Sequence, residues 1–287
     1  MSIVSTNPLR LAFASHPRQW RDFRFVYPVI SRRSKGLSIG VNLNPDGACN
    51  FDCVYCCVDR RAPLPKVKVD LARLETELET LVAGREELFK DPQFAEIPPE
   101  YRRLNDIAFS GDGEPTAVPA FGPAVRAAAG VLERLGLGDV KIVIITDACY
   151  LTRTEVAETL RFLDGHNGEI WAKLDAGSEA YFRRVNRANY PLSHVLDNLR
   201  AASQERAIVI QSMFMRIEGA APPADELGAY LDRLRWLLDE GGRIKLVQVY
   251  TVARWTTESY VSALTQTELE EIAERVRRLG LAAEVFA

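Results

Sequence analysis

From residue 37 onward, short runs rich in Val and Ile alternate with stretches of helical period, and no other feature restricts the fold as strongly. Runs suited to strands fall at 37–43, 106–110, 141–146, 169–175, 207–215, 243–252 and 282–286. Helical patterns lie between them, near 69–89, 121–135, 153–164, 178–187, 192–204, 224–240 and 266–279. In the first of these, leucines recur at positions 71, 74, 78 and 81. Several strand runs are almost continuously apolar, as strands covered on both faces must be. Strand alternating with helix implies a parallel sheet with right-handed crossovers. About six such units predict an α/β fold of mainly parallel strands, a partial (β/α)6-type TIM barrel. Residues 1–36, with Pro8, Pro17 and Pro28 and many arginines, read as an irregular N-terminal extension. Residues 37–287 contain no Pro/Ser linker and no low-complexity segment, and so predict a single barrel domain.

Composition narrows the class. The chain of 287 residues is 47% hydrophobic and 26% charged, the balance of an ordinary globular protein. No apolar stretch approaches the roughly 20 residues that span a bilayer, and no apolar core follows a basic start, so neither a membrane span nor a secretory signal is expected. A net charge of −3 argues against a globally basic nucleic-acid binder, while a local basic surface stays open. Of the five cysteines, Cys49, Cys53, Cys56 and Cys57 are too crowded for a disulfide framework; Cys149 stands apart. Such a cluster reads as metal binding or catalysis in a reducing cytoplasm.

Chemistry in parallel α/β folds gathers at the carboxyl ends of strands. The cysteine loop follows the first predicted strand, and Gly111-Asp-Gly113-Glu114 follows the second. Thr146 and Asp147 end the third, Lys173 and Asp175 the fourth, and Gln211 lies in the fifth. These residues are expected to converge. Cys49-Asn-Phe-Asp-Cys53-Val-Tyr-Cys56 is a C-x3-C-x2-C sequence. Three soft thiolates on one short loop can hold three corners of an iron–sulfur cubane and leave the fourth iron open. A closed zinc site is the alternative, and it wants four ligands, usually in C-x2-C pairs. The glycine-rich turn exposes backbone amides, and Glu114 can pair with an ammonium group. Lys173 and Asp175 share one strand face, as a buried ion pair or as ligand contacts. Arg254 could hold an anionic substrate or lie on the surface. His16, His166 and His194 show no ligand spacing.

These motifs, in this order, resemble the radical S-adenosylmethionine (SAM) superfamily. The resemblance implies that Cys49, Cys53 and Cys56 ligate a [4Fe–4S] cluster whose open iron is chelated by SAM. It implies reductive cleavage of SAM to a 5′-deoxyadenosyl radical, which abstracts hydrogen from a substrate. Tyr55 is then placed near the adenine, and Gly111, Gly113 and Glu114 match the element that holds the methionine amino group, with Asp112 replacing one glycine of a strict G-G-E. Thr146 and Asp147 resemble a strand end that approaches SAM; Lys173, Asp175 and Gln211 are candidate contacts. Cys57 and Cys149 are read as non-ligands. Tyr27–Ser31, Gly40–Cys56, Phe109–Thr116, Trp171–Asn186 and Val247–Arg254 look like the iron–sulfur oxidoreductases near the wyosine-type tRNA-modifying synthases. Those synthases carry a second cluster on cysteines near the N-terminus, and no cysteine precedes Cys49. Expected partners are an unidentified substrate (small molecule, peptide or RNA) and an electron donor such as flavodoxin or ferredoxin. An RNA-modifying role predicts a basic surface at the barrel mouth built from Arg18, Arg21, Arg24, Arg32, Arg33 and Lys35.

Overall fold

The computed structural model of the protein describes residues 7–14, 18–61 and 66–287; His16 and Pro17 lie outside them. In chain order the elements are α1 (Pro8–Ala14), β1 (Val26–Ser31), β2 (Gly36–Val41), α2 (Leu71–Ala83), α3 (Arg85–Leu88), β3 (Leu104–Phe109), α4 (Phe121–Arg134), β4 (Lys141–Thr146), α5 (Thr154–Asp164) and β5 (Gly168–Lys173). There follow α6 (Glu179–Asn186), α7 (Leu192–Glu205), β6 (Ile208–Met213), β7 (Met215–Ile217), α8 (Ala224–Asp239), β8 (Ile244–Tyr250), β9 (Val261–Ala263), α9 (Gln266–Arg277) and β10 (Ala283–Phe286). Caps fix several helix starts: the Asp70 side chain accepts from Arg73 N–H at α2, and Thr265 with Glu268 forms a capping box at α9.

Eight strands form one sheet in the order β1-β2-β3-β4-β5-β6-β8-β10, curled into a partial barrel. All neighbours run parallel except β1, which pairs antiparallel with β2 from Val26↔Val41 to Ser31↔Gly36. The segment before residue 37, expected to be irregular, therefore supplies both a helix and an edge strand of the sheet. Pro28 sits inside β1, where an edge strand tolerates a missing donor. The run expected as one strand at 207–215 is divided: β6 stays in the sheet, and β7 pairs antiparallel with β9 in a separate ribbon.

Two buried clusters lie on the two faces of the sheet, because side chains alternate along each strand. Ile107, Phe109, Ile142, Ile144, Ile170, Ile208 and Ile210 join the large cluster under the helices. Ala108, Val143, Trp171 and Val209 form the smaller cluster on the other, concave face. Near the amino ends of the strands, the Glu169 carboxylate accepts from Trp171 Nε1 at 2.9 Å, from Lys141 Nζ at 3.0 Å and from Lys245 Nζ.

Among the described residues the sheet does not close on itself by a backbone ladder, since no register joins β10 to β1. Side chains of the β1–β2 turn span the seam instead. Arg32 donates to the carbonyls of Thr251 and Phe286, both at 3.4 Å, and Lys35 pairs with Glu284 at 2.9 Å.

Candidate active site

The cysteine loop leaves the carboxyl end of β2 and is locked to the glycine-rich turn after β3. Gly113 makes the lock possible: a Cβ there would lie 1.8 Å from the carbonyl oxygen of Ala48, the residue before Cys49. Gly111 packs on the Asn42 side chain, which a Cβ would meet at 2.4 Å. Arg60 ties the parts together. Its Nε donates to Gly47 O at 2.9 Å, one Nη to Asp112 O at 2.6 Å and the other to Cys56 Sγ at 3.1 Å. Asp112, where a strict G-G-E has glycine, is held by Arg18 and by Asn42 Nδ2 at 2.6 Å.

Cys49, Cys53, Cys56, Tyr55, Gly111, Gly113, Glu114, Thr146, Asp147, Lys173 and Gln211 all line one cavity on the concave face, and so does Cys57. Asp175 does not line it. Its carboxylate stands behind Tyr55, accepting from the Tyr55 hydroxyl, from Asn186 Nδ2 at 2.8 Å and from Met213 N–H at 2.9 Å. Lys173 Nζ lies 5.5 Å from the Tyr55 ring centre and not in an ion pair with Asp175.

The sulfurs are surrounded by donors. Besides Arg60, the Val58 N–H points to Cys56 Sγ at 3.4 Å, and Asn186 Nδ2 lies 3.5 Å from Cys53 Sγ. Burial pushes the thiols of Cys49 and Cys53 up, to about 12 and about 11. At Cys56 burial acts in the same direction, but Arg60, the Val58 N–H and Lys173 together outweigh it and the thiol falls below its ordinary value. Among the described residues no three His, Cys, Asp or Glu side chains surround a single ion. A cubane makes a different demand, because each thiolate binds its own iron corner. The donors to sulfur fit such a group, whose electronics are set by hydrogen bonds and charges at the thiolates.

Glu114 is 2% exposed, and both its oxygens accept hydrogen bonds. It accepts from Thr116 N–H at 3.0 Å, Thr146 Oγ at 2.7 Å, Asp147 N–H at 2.7 Å and the Thr116 hydroxyl. Three of these donors share Oε1, and the Asp147 N–H alone meets Oε2, which keeps room for a further donor. Glu114 is thus a strut between the turn after β3 and the end of β4. Beside it, burial first and the Glu114 charge second raise the Asp147 carboxyl well above the usual range. Two buried acceptors lack a partner here: Asn186 Oδ1, and Oε1 of Gln211, whose Nε2 donates to Gln248 at 2.7 Å.

Sequence reasoning missed Arg60 and Asn186. An arginine four residues beyond Cys56 was the one available signal, since cations near thiolates lower their pKa. The expected basic surface is only partly present. Arg18 is tied to Asp112, Arg32 to backbone carbonyls, and Arg33 packs over Trp171 and Tyr250 inside the barrel. Cys149 is buried, with its N–H on Asp147 Oδ1 at 2.9 Å. His194 and His166 meet backbone carbonyls, of Cys149 and Phe162 respectively.

No family model matches the chain. It is 29% identical over 172 residues to the UPF0026 protein MJ1312 of Methanocaldococcus jannaschii, covering 60% of this chain and 46% of that protein. It is 25% identical over 166 residues to the GTPase Obg of Brachyspira hyodysenteriae, covering 58% of this chain and 21% of that protein. The chain thus spans less than half the length of these curated relatives. Among solved structures it superposes on a radical SAM methyltransferase from Sphaerobacter thermophilus with a TM-score of 0.63 and 14% identity, over 91% of this chain and 68% of the other. TYW1 with a lysine–pyruvate adduct bound gives 0.52 and 15%, over 85% and 74%. Methylornithine synthase (PylB) gives 0.50 and 13%, over 85% and 63%. The partial barrel of this chain is the fold of the radical SAM enzymes.

Proposed function

We propose that the chain is a radical SAM enzyme whose Cys49, Cys53 and Cys56 hold a [4Fe–4S] cluster. The observation that carries this reading is a three-thiolate loop, with donors to its sulfurs, lining one cavity with Glu114 in a barrel of this fold. When bound, cluster and SAM supply one-electron cleavage of the sulfonium and a 5′-deoxyadenosyl radical for hydrogen abstraction. The chain's own part is positioning. Tyr55, fixed by its hydroxyl bond to Asp175, offers a ring face for the adenine. Thr146, Glu114 and Asp147 present oxygens to the methionine amino group, and Gln211 Oε1 offers a free acceptor. Lys173 provides a buried cation near the thiolates of Cys53 and Cys49. Electrons come from a donor protein of the flavodoxin or ferredoxin type.

The tRNA-modifying alternative rests on the likeness to TYW1, a wyosine synthase. Asp112 neutralises Arg18, and Arg32 and Arg33 turn into the cavity, so these three do not build the outward basic surface that an RNA partner was expected to meet.

The test is anaerobic reconstitution with iron and sulfide, reduction, and assay for 5′-deoxyadenosine from SAM. The parent is expected to bind iron and form product; Cys56→Ala should do neither, and Cys57→Ala should keep its iron. A colourless protein carrying zinc and indifferent to SAM would end the proposal.

A further inference from the structure

The cavity that holds the cysteine loop is also lined by Arg32, Arg33 and Arg254, beside Trp171 and Tyr250. Its other arginines are committed, Arg18 to Asp112 and Arg60 to the Cys56 sulfur and two carbonyls. None of the ion pairs among the described residues involves Arg32, Arg33 or Arg254. The Arg33 guanidinium carbon stands 5.6 Å from the Trp171 ring centre and 5.1 Å from that of Tyr250. Two aromatic faces orient a guanidinium without cancelling its charge. The carbonyls of Thr251 and Phe286 serve Arg32 in the same incomplete way.

The carboxylate on this side of the cavity is Asp106, which attracts Arg33. It accepts from the Ser38 hydroxyl, and although burial pushes its carboxyl up to about 6 it stays mostly ionised at pH 7, a single negative charge against three cations. The three cations oppose one another. Burial first, then Arg33 and Arg254, bring Arg32 down to about 10. Burial lowers Arg33 too, with Arg254 adding to the effect. A bound anion relieves this repulsion, and the arginine fork matches carboxylate and phosphate oxygens.

We propose that Arg33 and Arg254, with Arg32 adding its charge, form a subsite for an oxyanion of the substrate, a carboxylate or a phosphate monoester. That the anion belongs to the substrate rests on the radical SAM reading; the anion site itself does not. The subsite shares its cavity with Cys49, Cys53 and Cys56, so a molecule anchored there faces the cysteine loop. The loop that carries Arg254 is also tied to it, through Thr257 N–H on Cys56 O at 2.9 Å.

The test titrates the cluster-loaded protein with inorganic phosphate, and separately with acetate, against sodium chloride of equal ionic strength, following Tm. A saturable rise with phosphate or acetate, absent with chloride, is expected. In Arg33→Ala/Arg254→Ala the anion should bind about tenfold more weakly or worse, with SAM affinity held within about twofold. Arg33→Lys should be intermediate, since it keeps the charge and loses the fork. Arg254→Gln alone, outside the sheet, should show a partial loss and covers a failure of the double variant to fold. Tighter phosphate assigns a phosphate monoester, and tighter acetate a carboxylate. No saturable rise, or the same rise in the double variant, overturns the proposal. Loss of SAM affinity in place of anion affinity assigns the arginines to SAM and overturns it as well. Anion binding through these arginines in a protein that takes up no cluster would keep the subsite and remove the radical SAM reading.

Discussion

Glu114 shows how one side chain can be read for function while its structural duty stays hidden. The sequence offered a carboxylate after a glycine turn; the fold gives that carboxylate four donors, two from Thr116 in the turn after β3 and two from Thr146 and Asp147 at the end of β4. Glu114→Ala leaves the N–H groups of Thr116 and Asp147 buried without this partner, at a cost of about 1–3 kcal/mol each. Denaturant unfolding should register that loss, and equilibrium binding should show weakened SAM. Full SAM affinity in a destabilised variant would leave Glu114 a strut alone. Gly113 acts at the same scale. Its sequence neighbours do not reveal that the carbonyl of Ala48 lies where a side chain would begin. Asp175 is a converse case, since its partners Tyr55, Asn186 and Met213 place it behind the cavity wall.

Among elements, the parallel strands and the longer helices were legible, because both declare themselves through local periodicity. The run at 141–146 is β4 to the residue, and that at 266–279 overlaps α9 closely. β1 was not legible: Pro28 reads as a breaker, and its permission to stay comes from an edge position that only the sheet defines. The direction taken by Arg32 and Arg33 was equally hidden, since their partners lie on β5, β8 and β10, more than a hundred residues away. Arg60 belongs here too, as the link between the two ends of the cysteine loop and the turn after β3. Arg60→Ala removes a charge and a donor from the Cys56 thiolate, which favours the oxidised cluster. A lower midpoint potential is the expected outcome, measured by EPR-monitored redox titration on protein of verified iron content. An unchanged potential would reduce Arg60 to a loop staple.

The whole barrel depends on how its concave space is filled at one end and left open at the other. Glu169 holds Lys141, Trp171 and Lys245 together near the amino ends of the strands. Burial opposes its ionisation, yet the bonds from Lys245, Trp171 and Lys141 prevail and hold its carboxyl below the ordinary value. The stabilisation is therefore complete above the unfolded carboxylate range and is lost as pH falls through the lowered folded value. Glu169→Gln should cost about 1.5–3 kcal/mol at pH 7 in urea unfolding, and the gap to the parent should narrow in acid. A gap that persists at low pH would mean that charge is not what binds the three side chains. The join between β1 and β10 has a different bearing on the molecule. A hydrogen-bonded ladder commits every residue along it, whereas this join is a pair of latches, Arg32 on two carbonyls and Lys35 on Glu284. Latches can be exchanged singly. Substitution at two or three positions can thus widen or narrow the barrel's girth, and with it the size of molecule admitted, while the strands and the cysteine loop keep their places.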